Sequence, residues 1–255
     1  MSTNVPPRSL SEWFTATPLG QYLLAREQAY YDAAVADVFG FHALQLGLPR
    51  HDFLRANRIA HRFCVACNSG AELRADYRDL PLATGSVDLL LLPHALEFHA
   101  DPHQILREVQ RVLVPEGQVI VSAFNPWSLW GLRHAFSRTP QVYPWCGRFI
   151  DLPRLKDWLA LLGLEIVAGR MCCYVPPCSQ DKWLARFRFM EAAGDRWWPV
   201  GGGAYFLHAI KRVRGVRIIM PQRIERLVPK KQLAPVPEKV AARDGAIAAR
   251  ETLDA

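Results

Sequence analysis

One apolar run, Val87–Leu92 (VDLLLL), constrains this chain more than any other stretch. It suits a strand buried on both faces of a parallel sheet. Asp101 followed by Pro102 reads as a helix N-cap with proline at the first helical position. Ile105, Leu106, Val109, Val112 and Leu113 then recur at helical spacing and form one apolar stripe. Val114-Pro115-Glu116-Gly117 has the residue pattern of a type I turn, and Gln118–Phe124 (QVIVSAF) is a second buried strand. Strand, helix and strand at this spacing make one right-handed βαβ crossover.

The stretch also carries a family resemblance. Asp76, Leu80, Pro81, Ser86, Asp88, Arg111, Val112, Leu113, Pro115 and Gly117 fall, in order, on the pattern D-x-x-x-L-P, S-x-D, R-V-L-x-P-G-G. This resembles the central half of a class I S-adenosylmethionine-dependent methyltransferase of the type 11 kind. The match is close over residues 70–124 and looser from about 35 to 212. It implies a Rossmann-like, doubly wound α/β domain with a mainly parallel seven-stranded sheet whose last strand is antiparallel. S-adenosylmethionine is the cofactor it implies, and a small molecule the methyl acceptor.

The 255 residues fit one domain with tails: a disordered leader at 1–8, a domain at 9–222 and a disordered basic tail at 223–255. Half the residues are hydrophobic, enough for a full core, and the net charge of +7 lies largely toward the C-terminus, where it offers a contact for acidic partners. No nucleic-acid motif accompanies the charge. MSTNVPPR lacks the apolar stretch of a signal peptide, and no apolar run is long enough to span a membrane, so a cytoplasmic location with reduced thiols is expected. Cys64-Val-Ala-Cys67 has CxxC spacing, but in a strand these positions point to opposite faces, which suits buried thiols better than a metal site.

Taken in order, Thr17-Pro18 opens a helix with Leu19, Tyr22, Leu23, Tyr30, Ala33, Ala34 and Val38 on one face, and Gly40 as its stop. Phe41–Leu48 reads as strand 1. The resemblance implies an acidic residue and a glycine-rich turn at its end, but this chain has Gln45-Leu46-Gly47-Leu48-Pro49-Arg50-His51. Only the first glycine remains, so weaker cofactor binding than in a glycine-rich relative is expected. Gln45, Gly47 and Leu48 are the candidate cofactor residues here. His61–Cys67 and Glu72–Tyr77 read as strands with only Asn68-Ser69-Gly70-Ala71 between them. A parallel crossover takes a dozen or more residues, so either they form a hairpin or one lies outside the main sheet. By the resemblance, Asn68 replaces the ribose-binding acid, and Asp76 with Tyr77 stands at the adenine position.

The loop after Val87–Leu92 adds Pro93 to the cofactor set and His94 and Glu97 as candidate bases, at the end of the sheet where open α/β folds bind ligands. A lone histidine beside a helix start is more often a hydrogen-bonded structural group, and His94 reads that way first. Asn125-Pro126 reads as a second cap-and-proline pair, with Trp127 and Trp130 on one helix face, to stack a flat substrate or fill core. Asp151–Gly163 is a helix, and Leu164–Val175 and Ala204–Val213 are strands. Residues 176–200 between them form a basic, aromatic helical insert. The leading expectation is methyl transfer to a small molecule. The alternative is a non-catalytic relative that binds or regulates, and a surface adaptor working through the tail and insert is a third.

Overall fold

The computed structural model describes residues 7–67, 70–137, 142–178 and 180–213. Asn68 and the tail expected from residue 223 lie outside them. The strands are β1 (His42–Leu46), β2 (His61–Ala66), β3 (Leu73–Arg74), β4 (Val87–Pro93), β5 (Leu113–Phe124), β6 (Leu164–Cys172) and β7 (Ala204–Lys211). The helices are α1 (Leu10–Ala16), α2 (Pro18–Val35), α3 (Pro102–Val112), α4 (Leu129–Ala135), α5 (Leu152–Leu161), α6 (Asp181–Arg186) and α7 (Phe189–Trp197).

The sheet order is β3-β2-β1-β4-β5-β7-β6. Strands β3 to β5 run parallel, and β7 is antiparallel to both β5 and β6. As expected, β1 lies against β4, with β5 on the other side of β4. The leucines of β4 alternate: Leu89 and Leu91 join one apolar layer with Phe14, Leu23 and Tyr31. Leu90 and Leu92 join the other, with Ile105, Val109 and Leu155. Both layers are fully closed to solvent at these leucines, and each such side chain contributes about 1.5–3 kcal/mol of burial. A strand feeding two cores has no polar face to spare, which is why its sequence does not alternate.

Four local expectations need correction. β2 and β3 form neither a hairpin nor an unpaired pair; they are parallel neighbours joined directly, Val65 opposite Leu73 and Ala66 opposite Arg74. A long crossover is needed only when the second strand restarts at the far end of the first. Here β3 pairs with the last two residues of β2, so the chain has only to step sideways and back by two residues. Helix α2 ends at Val35, not Gly40. The Asn57 side chain donates to the carbonyls of Val35 and Val38 at 2.6 and 3.0 Å, and so caps the helix end. Gly40 serves a close approach instead: a Cβ there would sit 2.3 Å from Asp88 Cβ. The Asp88 carboxylate accepts from the N–H groups of Phe41 and His42. The turn at 114–117 does not precede β5 but lies within it. Val87 pairs with Leu113 and Leu89 with Gln118, so the four residues bulge out, with Glu116 at φ 64°. The insert holds two short helices, α6 and α7, rather than one.

Helix α1 was not legible, although Ser9 caps it by accepting from Glu12 N–H. Arg8, expected in the disordered leader, donates its N–H to the Glu12 carboxylate at 2.8 Å. The caps read from sequence at α2 and α3 are present: Thr17 Oγ1 accepts from Gly20 N–H at 3.0 Å, and Asp101 Oδ1 from Gln104 N–H at 3.1 Å. Among the described residues, no helix is long and apolar enough to cross a membrane.

Candidate functional site

The carboxyl ends of β1 and β4 meet at Gly47, which carries φ +93°. Its N–H donates to Val65 O at 2.8 Å, tying the turn to β2. A Cβ on Gly47 would lie 3.2 Å from Tyr77 Oη, so only glycine serves both the backbone and the approach. Leu48 continues the turn at φ 51° and is buried. Gly47, Leu48, Tyr77, Pro93 and His94 line a cavity of about 170 Å³ together with Ser9, Leu10, Ser11 and Tyr143. His99 stacks on Tyr77 with ring centroids 4.6 Å apart. Ser11 Oγ and His99 Nδ1 are buried polar atoms with no hydrogen-bond partner. An orphaned donor or acceptor of this kind calls for a ligand or water.

The other candidates fall in different places. Gln45 is buried, and its side chain is committed to the β1 loop. Nε2 donates to Gly47 O at 2.9 Å, Leu48 O at 3.3 Å and His51 O at 2.8 Å, while Oε1 accepts from Phe53 N–H at 3.0 Å. It organises the turn and leaves no group for a ligand amine. Asp76 is outside the cavity lining and is forked by Arg78, with Nη2 at 2.6 Å; that hydrogen bonding holds its carboxyl down to about 2. Trp127 and Trp130 do not share a helix face. α4 starts only at Leu129, after its cap Ser128, whose Oγ accepts from Gly131 N–H. Trp130 is fully buried and donates Nε1–H to Val175 O, whereas Trp127 is 71% exposed. Asn125 is not a helix cap: its Oδ1 accepts from Trp127 N–H, and its Nδ2 donates to Val200 O and Gly202 O. Among the described residues no cluster of His, Cys, Asp or Glu could hold a metal ion. Burial, followed by nearby Glu72, pushes the Cys64 thiol up to about 12, so it is inert.

His94, which lines the cavity, and Glu97, which does not, are brought together with a third partner, Glu27. His94 Nδ1 faces Glu97 Oε2 at 2.6 Å, and Nε2 faces Glu27 Oε1 at 2.5 Å. Glu97 Oε1 accepts from Phe124 N–H at 2.5 Å. All three side chains are closed to solvent. Burial alone would lower the His94 pKa, but the two carboxylates outweigh it and raise it to about 10. Burial raises the Glu97 carboxyl, opposed by the imidazolium. An imidazolium with both nitrogens engaged has no lone pair for a substrate proton, so His94 does not have the geometry of a general base. The triad instead ties α2 to the loop after β4. Glu27 was missed in sequence, yet it sits on the four-residue row Leu23, Glu27, Tyr31, Val35, all buried. A carboxylate in such a row announces a buried partner.

A seven-stranded sheet in this order, with a tight glycine turn after β1 and a cavity against β4, decides the family of folds. Residues 56–121 match the protein family described as "Methyltransferase domain". The chain has the class I methyltransferase fold. S-adenosylmethionine is the cofactor that the family match implies. In sequence the chain is 37% identical over 132 residues to the uncharacterized protein YafS of Escherichia coli (strain K12), covering 51% of this chain and 55% of that one. It is 38% identical over 91 residues to a malonyl-[acyl-carrier protein] O-methyltransferase of Methylovorus sp. (strain MP688), covering 36% of this chain and 30% of the relative. It thus spans about half the length of the first relative and under a third of the second. In structure it is similar to a chain from the Haloferax volcanii complex of the Trm112 methyltransferase activator with a methyltransferase (TM-score 0.58, 19% identity, 81% of this chain and 99% of that one). It is also similar to an S-adenosylmethionine-dependent methyltransferase of Thermotoga maritima (TM-score 0.54, 17% identity, 75% of this chain and 93% of that one).

Proposed function

We propose that this chain binds S-adenosylmethionine at the Gly47 cavity and transfers its methyl group to a small molecule. The cradle at Gly47, which any Cβ would fill, carries the reading. The cofactor supplies a sulfonium-bound methyl, already activated for displacement. The protein's part is then to orient donor and acceptor and exclude water, and a base is optional. Gly47, Leu48, Tyr77 and Pro93 would hold the nucleoside, with Ser11 and His99 offering their unpartnered polar atoms. At about 170 Å³ the cavity is smaller than the ~300–1,000 Å³ usual for ligand sites. Entry therefore requires the start of α1 and the segment around Tyr143 to move outward. Asp76 reaches an adenine amine only after Arg78 releases it.

One observation favours a second reading, a non-catalytic relative that binds or regulates. The residue at the expected acidic anchor, Gln45, is spent on its own loop. Calorimetry of the full chain with S-adenosylmethionine and with its demethylated product separates the two. Binding of the methylated form supports the enzyme reading; no heat from a folded protein at millimolar ligand leaves only the second.

A further inference from the structure

A second cavity, of about 380 Å³, opens between α2, β6 and α7 and shares no lining residue with the Gly47 cavity. Its volume lies in the usual range for a small-molecule site, ~300–1,000 Å³. Its floor is flat and aromatic: Tyr30 lies on Phe206 with ring centroids 3.9 Å apart and planes at 18°. Arg26 of α2 and Arg170 of β6 stand on its rim. Arg26 lies over the Tyr22 ring, its Cζ 5.3 Å from the centroid, and donates weakly to the Tyr22 hydroxyl at 3.4 Å. Four other arginines form ion pairs, but among the described residues neither Arg26 nor Arg170 does.

The carboxylate nearest to hand is already engaged. Glu191 Oε1 accepts from the Tyr22 hydroxyl at 2.6 Å and from Tyr174 N–H at 3.1 Å. Those two bonds fasten α7 to α2 and to the end of β6, so the insert becomes the cavity's wall. Two arginines and one carboxylate, Glu191, line the cleft, which leaves it a net positive charge. The aromatic floor offers stacking to a planar body.

We propose that this cleft binds a flat, apolar molecule carrying one carboxylate, held between Arg26 and Arg170 over the Tyr30 ring. The site stands independently of the proposed methyl transfer. The test is calorimetric titration of the full chain with 2-naphthoate, and with neutral 2-naphthamide as control. The expected result is one-site binding of 2-naphthoate and none of the amide. Arg26→Ala and Arg170→Ala each weaken it about tenfold or more, as for loss of a charge-assisted hydrogen bond, with circular dichroism unchanged. Ala192→Trp, which fills the cleft from an exposed position, abolishes binding. Gly47→Val leaves it untouched, which separates this site from the Gly47 cavity. Equal binding of the amide, wild-type affinity in both arginine variants, or no binding at about 1 mM 2-naphthoate overturns the proposal.

Discussion

His94→Asn tests the buried triad most directly. The residue sits at φ 50°, a left-handed conformation that asparagine tolerates better than any uncharged replacement but glycine. Asparagine therefore removes the cation without adding backbone strain. It leaves Glu27 and Glu97 facing each other with no compensating charge. Breaking a buried ion pair from one side costs about 3–5 kcal/mol. In a domain of this size each kcal/mol lowers the melting temperature by about 2–4 °C, so a drop of about 6–20 °C is expected. The pH dependence has a definite sign. His94 titrates near 10 in the folded protein and near 6.5 when unfolded, so the folded state holds the extra proton between those values. Its contribution is complete below pH 6.5 and is lost as pH rises to about 10, at up to about 1.4 kcal/mol per unit. In the variant that slope disappears. Part of the lost stability returns as pH falls, because burial raises the Glu97 carboxyl and favours its neutral form. Thermal melts of both proteins from pH 5 to 10 measure all of this. A wild-type minus variant difference that is flat between pH 6.5 and 9.5, or a variant within about 1 kcal/mol of wild type at pH 7, would refute the triad's charge assignment.

Three further outcomes follow from the β1 loop and its neighbours. Gln45→Glu, which restores the acidic residue of the family pattern, should destabilise the chain by about 2–4 kcal/mol in chemical denaturation, because a carboxylate is set against three carbonyls that now receive hydrogen bonds; a stability gain would contradict the loop role. Gly47→Val should abolish S-adenosylmethionine binding, since a branched side chain at φ +93° crowds Tyr77; wild-type affinity in this variant would move the ligand elsewhere. Asp76→Ala should weaken that binding while shifting the melting temperature little, because its pair with Arg78 is exposed and screened by solvent; a collapse of the fold would show that the pair is structural.

The parts of this molecule that could be read ahead are those where a periodic signal and a local stop agree. Strand β4, helix α3 with its Asp101-Pro102 start, and Gly163, which follows α5 at φ 72°, are of this kind. The tight turn at Gly47 after β1 was legible for the same reason. Whatever depends on contacts distant in the chain was not. Glu27 meets His94 across 67 residues, and Trp130 reaches Val175 across 45. Trp127 and Trp130 were set on one helix face by spacing alone, but the Asn125 side chain bonds Trp127 N–H and delays the helix to Leu129. The β2–β3 link was misjudged because the crossover rule assumes strands of full length, and β3 has two residues.

That abbreviated strand bears on how copies of the protein behave in crowded solution. The outer margin of a sheet is a template for foreign strands, and long regular margins invite stacking into aggregates. On the β3 side the template is almost gone: two residues of β3 cover the end of β2, and Glu72 takes up the Cys64 N–H at 3.1 Å. On the opposite side β6 offers nine residues, but its register slips between Ile166 and Ala168, and Glu165 and Arg170 are charged and exposed. One margin is shortened and plugged with a carboxylate, the other bent and charged. Neither presents the flat, neutral ladder on which a second sheet could grow.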